Sequence, residues 1–145
     1  MGIVLREDIR PDTRFYYREQ FKVYHEPYLI WNWPTWETVL SSSTVYRIEI
    51  DGAYAGDVIL EEKGRGTRYL VDFSLLPEYQ GRGIGRNVLD QLKTTARKLT
   101  ATTRKETLGF FLKTGFTLRK MLKDFYSDGV DGYDVIYMRA RRAPP

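Results

Sequence analysis

The sequence predicts one mixed α/β domain, with a sheet of six to seven strands flanked by about four helices. Two observations support this: apolar runs typical of strands alternate with amphipathic segments typical of helices, and a glycine-rich turn joins one strand to one helix. A chain of 145 residues with 42% hydrophobic residues is large enough for a real core. We expect a single domain over 1–145, with a frayed tail at 143–145.

The first 62 residues contain three predicted strands and two predicted helices. In chain order they are a strand at 2–6, a helix from 13 to about 25, a short helix from about 35 to 42, and strands at 44–50 and 53–62. Asp51-Gly52 separates the last two strands as a two-residue hairpin turn, because glycine tolerates the positive φ that this turn needs.

The rest of the chain is organised around a strand, a turn and a helix. Residues 69–76 are apolar and aromatic, as in a strand, and the helix begins after the glycines at 81, 83 and 85. Its apolar face is predicted to contain Ile84, Val88, Leu92 and Ala96, with Leu89 and Leu99 beside them. A strand at 99–103, a helix at 105–114 and two closing strands at 116–123 and 133–139 complete the prediction.

The glycine-rich turn has the features of an anion site. Glycines turn tightly and leave N–H groups uncovered, and the first turn of a helix carries unpaired donors and partial positive charge. Phosphate binds well at such a helix start, where Arg82 and Arg86 add two full charges. The spacing matches neither a P-loop nor Gly-x-Gly-x-x-Gly, so the glycines alone also allow a turn that binds no ligand.

The whole segment resembles the acyl-CoA signature of the GNAT superfamily of N-acetyltransferases. The resemblance lies in the strand, in Pro77-Glu78-Tyr79, and in Gln80-x-x-Gly83-x-Gly85 at the start of the helix. A second similarity is the helix that ends at Gly115-Phe116, about thirty residues after the loop. The resemblance covers residues 44–139 well and 1–43 in outline, and it implies a central, mostly antiparallel sheet.

This resemblance implies acetyl-CoA as acyl donor and transfer to a primary amine, either a peptide α-amine or a small amine. The backbone N–H of Leu75 or Leu76 would donate to the oxyanion, and catalysis would act mainly by positioning. The residues implied to bind the cofactor are Leu75, Gln80, Gly81, Arg82, Gly83, Ile84, Gly85, Arg86 and Phe111. The alternatives are an acyl-CoA-binding module without catalysis and, more distantly, a basic nucleic-acid-binding domain.

The family's usual general acid is missing. It is a tyrosine four residues before the Gly-Phe pair, and Phe111, which has no proton to donate, stands there. Tyr126 or Tyr133 is a candidate substitute, although both also fit packing roles. No carboxylate stands out as the general base, and Asp72 in the strand before the loop is one of several weak candidates.

Tyr28, Trp31, Trp33 and Trp36 lie within nine residues of one another. One interpretation is a hydrophobic clasp that closes the helices onto the sheet. The other is an aromatic acceptor pocket, in which Tyr28, Trp31 and Trp33 hold a cationic ammonium group by cation–π contact.

Positive charge is concentrated in residues 82–123, which hold eleven Lys or Arg and two acidic residues, a net charge of +9. A basic surface around the loop would steer and hold the anionic cofactor. A solvated basic face is the alternative, and no helix-turn-helix, zinc-finger or RNA-binding signature favours nucleic acid.

Composition excludes several classes of site. The chain has no cysteine and one histidine, His25, which excludes disulfides, thiolate catalysis and Cys- or His-rich metal centres. We therefore expect no metal. The sequence has no apolar run able to span a membrane and no secretory leader, so a cytoplasmic location is expected. A homodimer is left open.

Overall fold

The computed structural model describes residues 2–140, which contain seven strands and four α-helices. The elements in chain order are β1 (Ile3–Glu7), α1 (Thr13–Val23), α2 (Trp33–Ser42), β2 (Thr44–Ile50), β3 (Ala53–Glu62), β4 (Thr67–Leu75), α3 (Ile84–Lys93), β5 (Lys98–Thr103), α4 (Lys105–Lys113), β6 (Thr117–Ser127) and β7 (Val130–Met138). Short 3₁₀ turns occupy Pro27–Leu29 and Pro77–Tyr79. The predicted frayed tail at 143–145 lies outside the described residues.

The strands form one sheet in the order β1-β2-β3-β4-β5-β7-β6. All neighbouring pairs are antiparallel except β4 and β5, which run parallel and are connected through α3. A parallel pair needs such a crossover because the chain must return to the end of the sheet where it started. The predicted mixed α/β class and the mostly antiparallel sheet are confirmed.

The parallel pair β4–β5 separates before β4 ends. Its ladder runs from Thr67 opposite Lys98 to Leu70 opposite Ala101. The ladder between β3 and β4 goes on as far as Leu75, which lies opposite Gly56. The last part of β4 is therefore paired on one edge only, and its other edge faces a gap between β4 and β5. We call this opening the β4–β5 gap.

Two apolar clusters cover the two faces of the sheet. Val58 and Leu60 belong to the larger cluster with the buried face of α3, whereas Ile59 between them belongs to a smaller cluster with Trp36. Because neighbouring side chains of a strand point to opposite faces, the two clusters lie on opposite sides of the sheet. Helices α1 and α2 thus cover one face, and α3 covers the other.

Several helices begin or end at other residues than the sequence predicted. The first helix ends at Val23 rather than His25, because Tyr24 is extended and only its N–H still bonds back, to the Gln20 carbonyl oxygen. Helix α2 begins at Trp33 rather than Thr35, since the Asn32 side chain caps it by accepting the Thr35 N–H. Many of the other ends, including both ends of β2 and of β3, are as predicted, and the rest outside the β6–β7 turn move by one or two residues.

Two predictions in the second half of the chain were wrong in more than detail. The apolar face predicted for α3 extended to Ala96 and Leu99, but the helix ends at Lys93. Both residues are buried beyond it, and Leu99 belongs to β5, so the four-residue period continued past the helix by coincidence. The polar loop predicted after residue 123 is a tight turn between β6 and β7, which extend to Ser127 and from Val130.

Candidate active site

The glycine loop, residues 80–85, presents a row of backbone donors. Gly81 and Gly83 have φ of 75° and 76°, a left-handed conformation that favours glycine. Within residues 2–140, no N–H group from 81 to 86 has an acceptor, and the first bonded one is that of Asn87, to the Gly83 carbonyl oxygen. A Cβ on Gly81 or Gly83 would meet no atom within 4 Å. The donors are therefore open to an anion.

Two guanidinium groups lie beside this row of donors. Arg82 and Arg86 are exposed, and in the described part of the chain neither forms a salt bridge. Guanidinium groups bind phosphate oxygens in pairs of hydrogen bonds. The loop therefore combines backbone dipoles with two charges that no carboxylate neutralises.

Gln80 and Ile84 attach the loop to the rest of the protein. The Gln80 Nε2 donates to the Leu75 carbonyl oxygen at 2.9 Å, which ties the loop to the end of β4. Ile84 is 1% exposed and anchors the first turn of α3 in the core. Their contacts fix the shape of the loop, and direct binding of the cofactor by their side chains stays a prediction.

The two alternatives for the backbone donor at the oxyanion are separated by the structure. The Leu76 N–H donates to the Ala55 carbonyl oxygen at 2.8 Å, so of the two it is the one that already has an acceptor. Successive peptide groups of a strand point to opposite edges, so the Leu75 N–H points away from β3. The Leu75 carbonyl group, which accepts from Gln80, points the same way. Leu75 is the residue whose N–H faces the β4–β5 gap.

Phe111 lies deeper than a cofactor contact would need. It is 7% exposed and packs edge-to-face against Phe110 and Phe116, with ring centroids 5.5 and 5.2 Å away. Phe110, which the sequence did not single out, is 37% exposed, and a Cβ on Gly85 would lie 3.1 Å from its ring. A contact of Phe111 with the cofactor stays a prediction. The ring that lies next to Gly85 of the loop is that of Phe110.

Tyr126 already has a hydrogen-bond partner. Its hydroxyl donates to the Thr102 carbonyl oxygen at 3.0 Å. The ring centroids of Tyr126 and Tyr28 are 6.3 Å apart. Burial raises the pKa of Tyr126 to about 12, so the hydroxyl keeps its proton at neutral pH. Proton donation by Tyr126 to a leaving thiolate stays a prediction.

A cleft of about 610 Å³ opens beside the C-terminal end of α1. Trp31, Tyr24 and His25 are among its lining residues. Of the three aromatic residues predicted to bind an acceptor, Trp31 alone lines this cleft, whereas Tyr28 packs on Tyr126 and Trp33 packs on Tyr17.

Trp36 has the other role that the sequence allowed. It is 1% exposed and stacks on Tyr16 between the helices and the sheet. The tryptophan-rich segment therefore supplies both a clasp, through Trp36, and a wall of the cleft, through Trp31. Contact of Tyr28, Trp31 or Trp33 with an acceptor stays a prediction.

Two carboxylates lie near this cleft, on β3 and β4. In the ladder Asp57 is opposite Ser74 and Asp72 is opposite Ile59, which places both carboxylates on the same face of the sheet. The Tyr24 hydroxyl donates to Asp72 Oδ1 at 2.7 Å and lies 3.4 Å from the Phe73 carbonyl oxygen. Asp57 is 4% exposed, whereas Asp72 is half-buried. Asp57 therefore lies deeper in the protein than Asp72.

The two carboxyl groups have different tendencies to ionise. Burial, together with the charge of Asp72, raises the pKa of Asp57 well above its usual range. Burial also raises the pKa of Asp72, but hydrogen bonds from Asp57, Tyr24 and the Phe73 N–H oppose that rise. Burial therefore favours the protonated form of both groups, and hydrogen bonds oppose it more at Asp72 than at Asp57. From the sequence, Asp72 is one of several weak candidates for the general base and Asp57 is not a candidate, because only the strand register brings the two together.

The architecture is that of an acyltransferase fold, with a donor loop at one end of a gap between two parallel strands. A family model described as the acetyltransferase (GNAT) family matches residues 6–116, more than half of the chain. The chain therefore belongs to the GNAT acetyltransferase family. It is an acetyltransferase that takes its acetyl group from acetyl-CoA, as the sequence predicted.

Solved structures have the same fold at low sequence identity. The ribosomal-protein-S18-alanine N-acetyltransferase of Escherichia coli matches with a TM-score of 0.80 at 16% identity, covering 98% of this chain and 97% of that chain. A GNAT acetyltransferase of Elizabethkingia anophelis with acetyl-CoA bound matches with a TM-score of 0.71 at 16% identity, covering 94% of this chain and 98% of that chain. A chimera of the Vibrio cholerae spermidine N-acetyltransferase matches with a TM-score of 0.73 at 18% identity, covering 95% of this chain and 96% of that chain. Among curated protein sequences, none matches this chain.

The described residues contain neither a membrane helix nor a metal cluster. From residue 2 to residue 140, no helix is both long enough and apolar enough to cross a bilayer. Over the same residues, no group of three or more His, Asp or Glu side chains is arranged to hold a metal ion.

Proposed function

We propose that the protein is an N-acetyltransferase whose acceptor is a primary amine that binds as its ammonium ion. The observation that carries this proposal is the Asp57–Asp72 pair of carboxyl groups, which the hydrogen bond from Tyr24 to Asp72 connects to the aromatic cleft. At neutral pH an aliphatic amine is mostly cationic, whereas alcohols and thiols, the other common acyl acceptors, are mostly neutral. Aromatic walls, with carboxyl groups behind them, favour the cation.

On the cofactor side, the glycine loop fits the diphosphate of acetyl-CoA. The N–H groups of residues 81–86 would donate to its oxygens, and Arg82 and Arg86 would add charge. The Leu75 N–H, at the β4–β5 gap, would donate to the carbonyl oxygen on which negative charge develops.

Catalysis would depend mainly on positioning. Phe111 offers no acid for the leaving sulfur, but a thiol pKa of about 8.5 lets the thiolate leave without one. A general acid or base is typically worth about 10²- to 10⁴-fold in rate, and alignment of the reactants can contribute more.

The acceptor that we propose is either a peptide α-amine or a small primary amine. An α-amine with a pKa near 8 is about one part in ten neutral at pH 7, against about one part in 10³ for a lysine amine. The Escherichia coli structure is of an alanine N-acetyltransferase and the Vibrio cholerae chimera is of a spermidine N-acetyltransferase. Both names support an amine acceptor, and neither selects between the two kinds.

Thiol release from acetyl-CoA with a panel of peptides and small amines tests the proposal. We expect release that depends on one or more amines, with an acetylated amine as product by mass spectrometry. Tight acetyl-CoA binding with no release above background for any amine would contradict it and would indicate a binding module. The homodimer, the cytoplasmic location and the absence of nucleic-acid binding stay predictions.

A further inference from the structure

We propose that the aromatic cleft at the C-terminal end of α1 binds an uncharged, apolar group of the acceptor, and that it thereby selects hydrophobic monoamines over polyamines. This inference rests on the proposed function, because it presupposes an amine acceptor. It goes beyond that function by naming the chemistry of the rest of the acceptor. The apolar group belongs either to a free alkyl- or arylalkylamine or to a peptide that begins with an apolar residue.

The segment between α1 and α2 lies across the β4–β5 gap. At its beginning, the Tyr24 hydroxyl donates to Asp72 of β4 at 2.7 Å. Farther along, the ring of Tyr28 packs on Tyr126, whose hydroxyl donates to the Thr102 carbonyl oxygen of β5. Asp72 and Thr102 both come just after the last β4–β5 pair. The segment is therefore connected to both strands at the place where they separate.

The aromatic cleft is formed by this same segment and by one face of α1. Tyr17 and Phe21 line it from α1, and Ile30 and Trp31 line it from the segment. Its volume of about 610 Å³ falls within the range of roughly 300–1,000 Å³ that is typical of small-molecule sites. An acceptor whose amine lies at the gap can therefore extend its remaining part along the segment into the cleft.

The apolar wall of the cleft is held in place by contacts within the protein. The buried side chain of Gln20 donates from Nε2 to the Trp31 carbonyl oxygen at 2.8 Å, and its Oε1 accepts the Trp31 N–H at 2.9 Å. The Trp31 ring packs on Trp36, with centroids 4.7 Å apart. On the α1 side, Phe21 is 47% exposed and its ring contacts Tyr17 edge-to-face. A wall that is fixed in this way loses little side-chain freedom when an apolar group binds.

The charge of the lining distinguishes one kind of amine from another. In the part of the chain from residue 2 to residue 140, the cleft lining contains no Asp, Glu, Lys or Arg, and His25 is its one group that becomes cationic. A second ammonium group in the cleft would lose water without gaining a carboxylate partner, and an aromatic face offsets only part of that cost. A methyl or phenyl group in the same place is stabilised by leaving water. The cleft therefore favours an acceptor with one ammonium group and an apolar remainder.

Three small amines test this selection directly. Thiol release from acetyl-CoA is measured with ethylamine, heptylamine and hexamethylenediamine at the same pH. The last two have the same number of heavy atoms and differ only at the far end, where one has a methyl group and the other an ammonium group. Since one methylene in an apolar pocket is worth about 10- to 200-fold, kcat/KM should be at least about tenfold higher for heptylamine than for each of the other two. A diamine used as well as heptylamine would overturn the inference, as would ethylamine used as well as heptylamine.

Phe21→Ala and Trp31→Ala test whether the cleft makes this selection. Each removes apolar area from the lining, so the ratio of kcat/KM for heptylamine to that for ethylamine should fall by at least about tenfold. Any unfolded fraction cancels in this ratio, because both acceptors are measured on the same preparation. Met138→Ala is the matched control and should keep the wild-type ratio, since Met138 is a 64% exposed apolar residue opposite Lys98, at the end of β5 away from the gap. A wild-type ratio in both cleft variants would overturn the assignment to the cleft.

Two short peptides separate the two sources of the apolar group. Phe-Gly-Gly-Gly and Asp-Gly-Gly-Gly are added to the same assay. Faster transfer to the Phe peptide than to heptylamine would identify a peptide acceptor and the reverse a free amine, and both results support the inference. Transfer above background to the Asp peptide at the rate of the Phe peptide would contradict it. No release with any amine or peptide would instead contradict the proposed function, which separates the two failures.

Discussion

The two sides of the β4–β5 gap are made from different parts of the chain. The cofactor side is one continuous segment, residues 81–86, and its functional groups are backbone N–H groups shaped by positive-φ glycines. The acceptor side that we propose is made of side chains from α1, β3 and β4, and its central hydrogen bond joins Tyr24 and Asp72, which are 48 residues apart. One site is local in sequence, and the other depends on tertiary structure.

This difference predicts different responses to mutation. A change at Gly81 or Gly83 should act on cofactor affinity, since a side chain at either position meets no atom of the protein within 4 Å. A change at Tyr24, Asp57 or Asp72 should act on turnover instead, because these residues belong to α1, β3 and β4 rather than to the loop. The following variants test this separation, from the largest expected effect to the smallest.

Gly83→Asp should weaken acetyl-CoA binding by more than about 100-fold. The carboxylate would stand in the row of donors where the diphosphate is expected, and like charges repel strongly at short range. Isothermal titration calorimetry measures the affinity. Gly52→Asp is the control, because Gly52 also has a positive φ and open space around its Cβ position, in the turn between β2 and β3. Equal affinity losses in both variants would contradict a specific role for Gly83.

Gly56→Ala should lower the free energy of unfolding by about 1–3 kcal/mol, because there is no room for a Cβ. That atom would lie 1.9 Å from the Ser74 carbonyl oxygen and 3.0 Å from Leu75 Cα, so β4 must move. Turnover should fall too, since the Leu75 N–H moves with the strand. Gly109→Ala in α4 is the control, where a Cβ meets no atom within 4 Å and should stabilise by about 0.5–1 kcal/mol. Urea unfolding measures both, and a Gly56→Ala protein as stable as wild type would show that β4 has room to adjust.

Asp57→Asn should become more stable relative to wild type as the pH rises. The pKa of Asp57 is higher in the folded protein than in the unfolded chain, where it is about 3.9. A raised folded pKa means that this contribution to stability is present below pH 3.9 and is lost as the pH rises toward the folded value. The variant lacks that loss, so the difference in unfolding free energy should grow between pH 5 and pH 8. A difference independent of pH would show that Asp57 is ionised in the fold.

The cofactor side could be predicted from the sequence because its determinants are local. Gly83 before α3 and Gly115 after α4 both have the positive φ that their positions suggested. Even there one detail needed the structure, since only the pairing of Leu76 with Ala55 shows which N–H is already occupied.

The acceptor side could not be predicted, because its geometry depends on strand register and on where helices end. Asp57 and Asp72 are fifteen residues apart in sequence, and only the β3–β4 pairing puts both on one face. Tyr24 reaches Asp72 because α1 ends at Val23, just before Tyr24. The sequence predicted that the helix would continue to about His25.

The central claim, that the acceptor side selects a cation for acetyl transfer, is tested most directly with two acceptors that differ in one group. Thiol release from acetyl-CoA is measured with 2-phenylethylamine and with 2-phenylethanol at the same concentration and pH. The predicted result is release with the amine and none above background with the alcohol. Equal release with both, or release with the alcohol alone, would contradict the account.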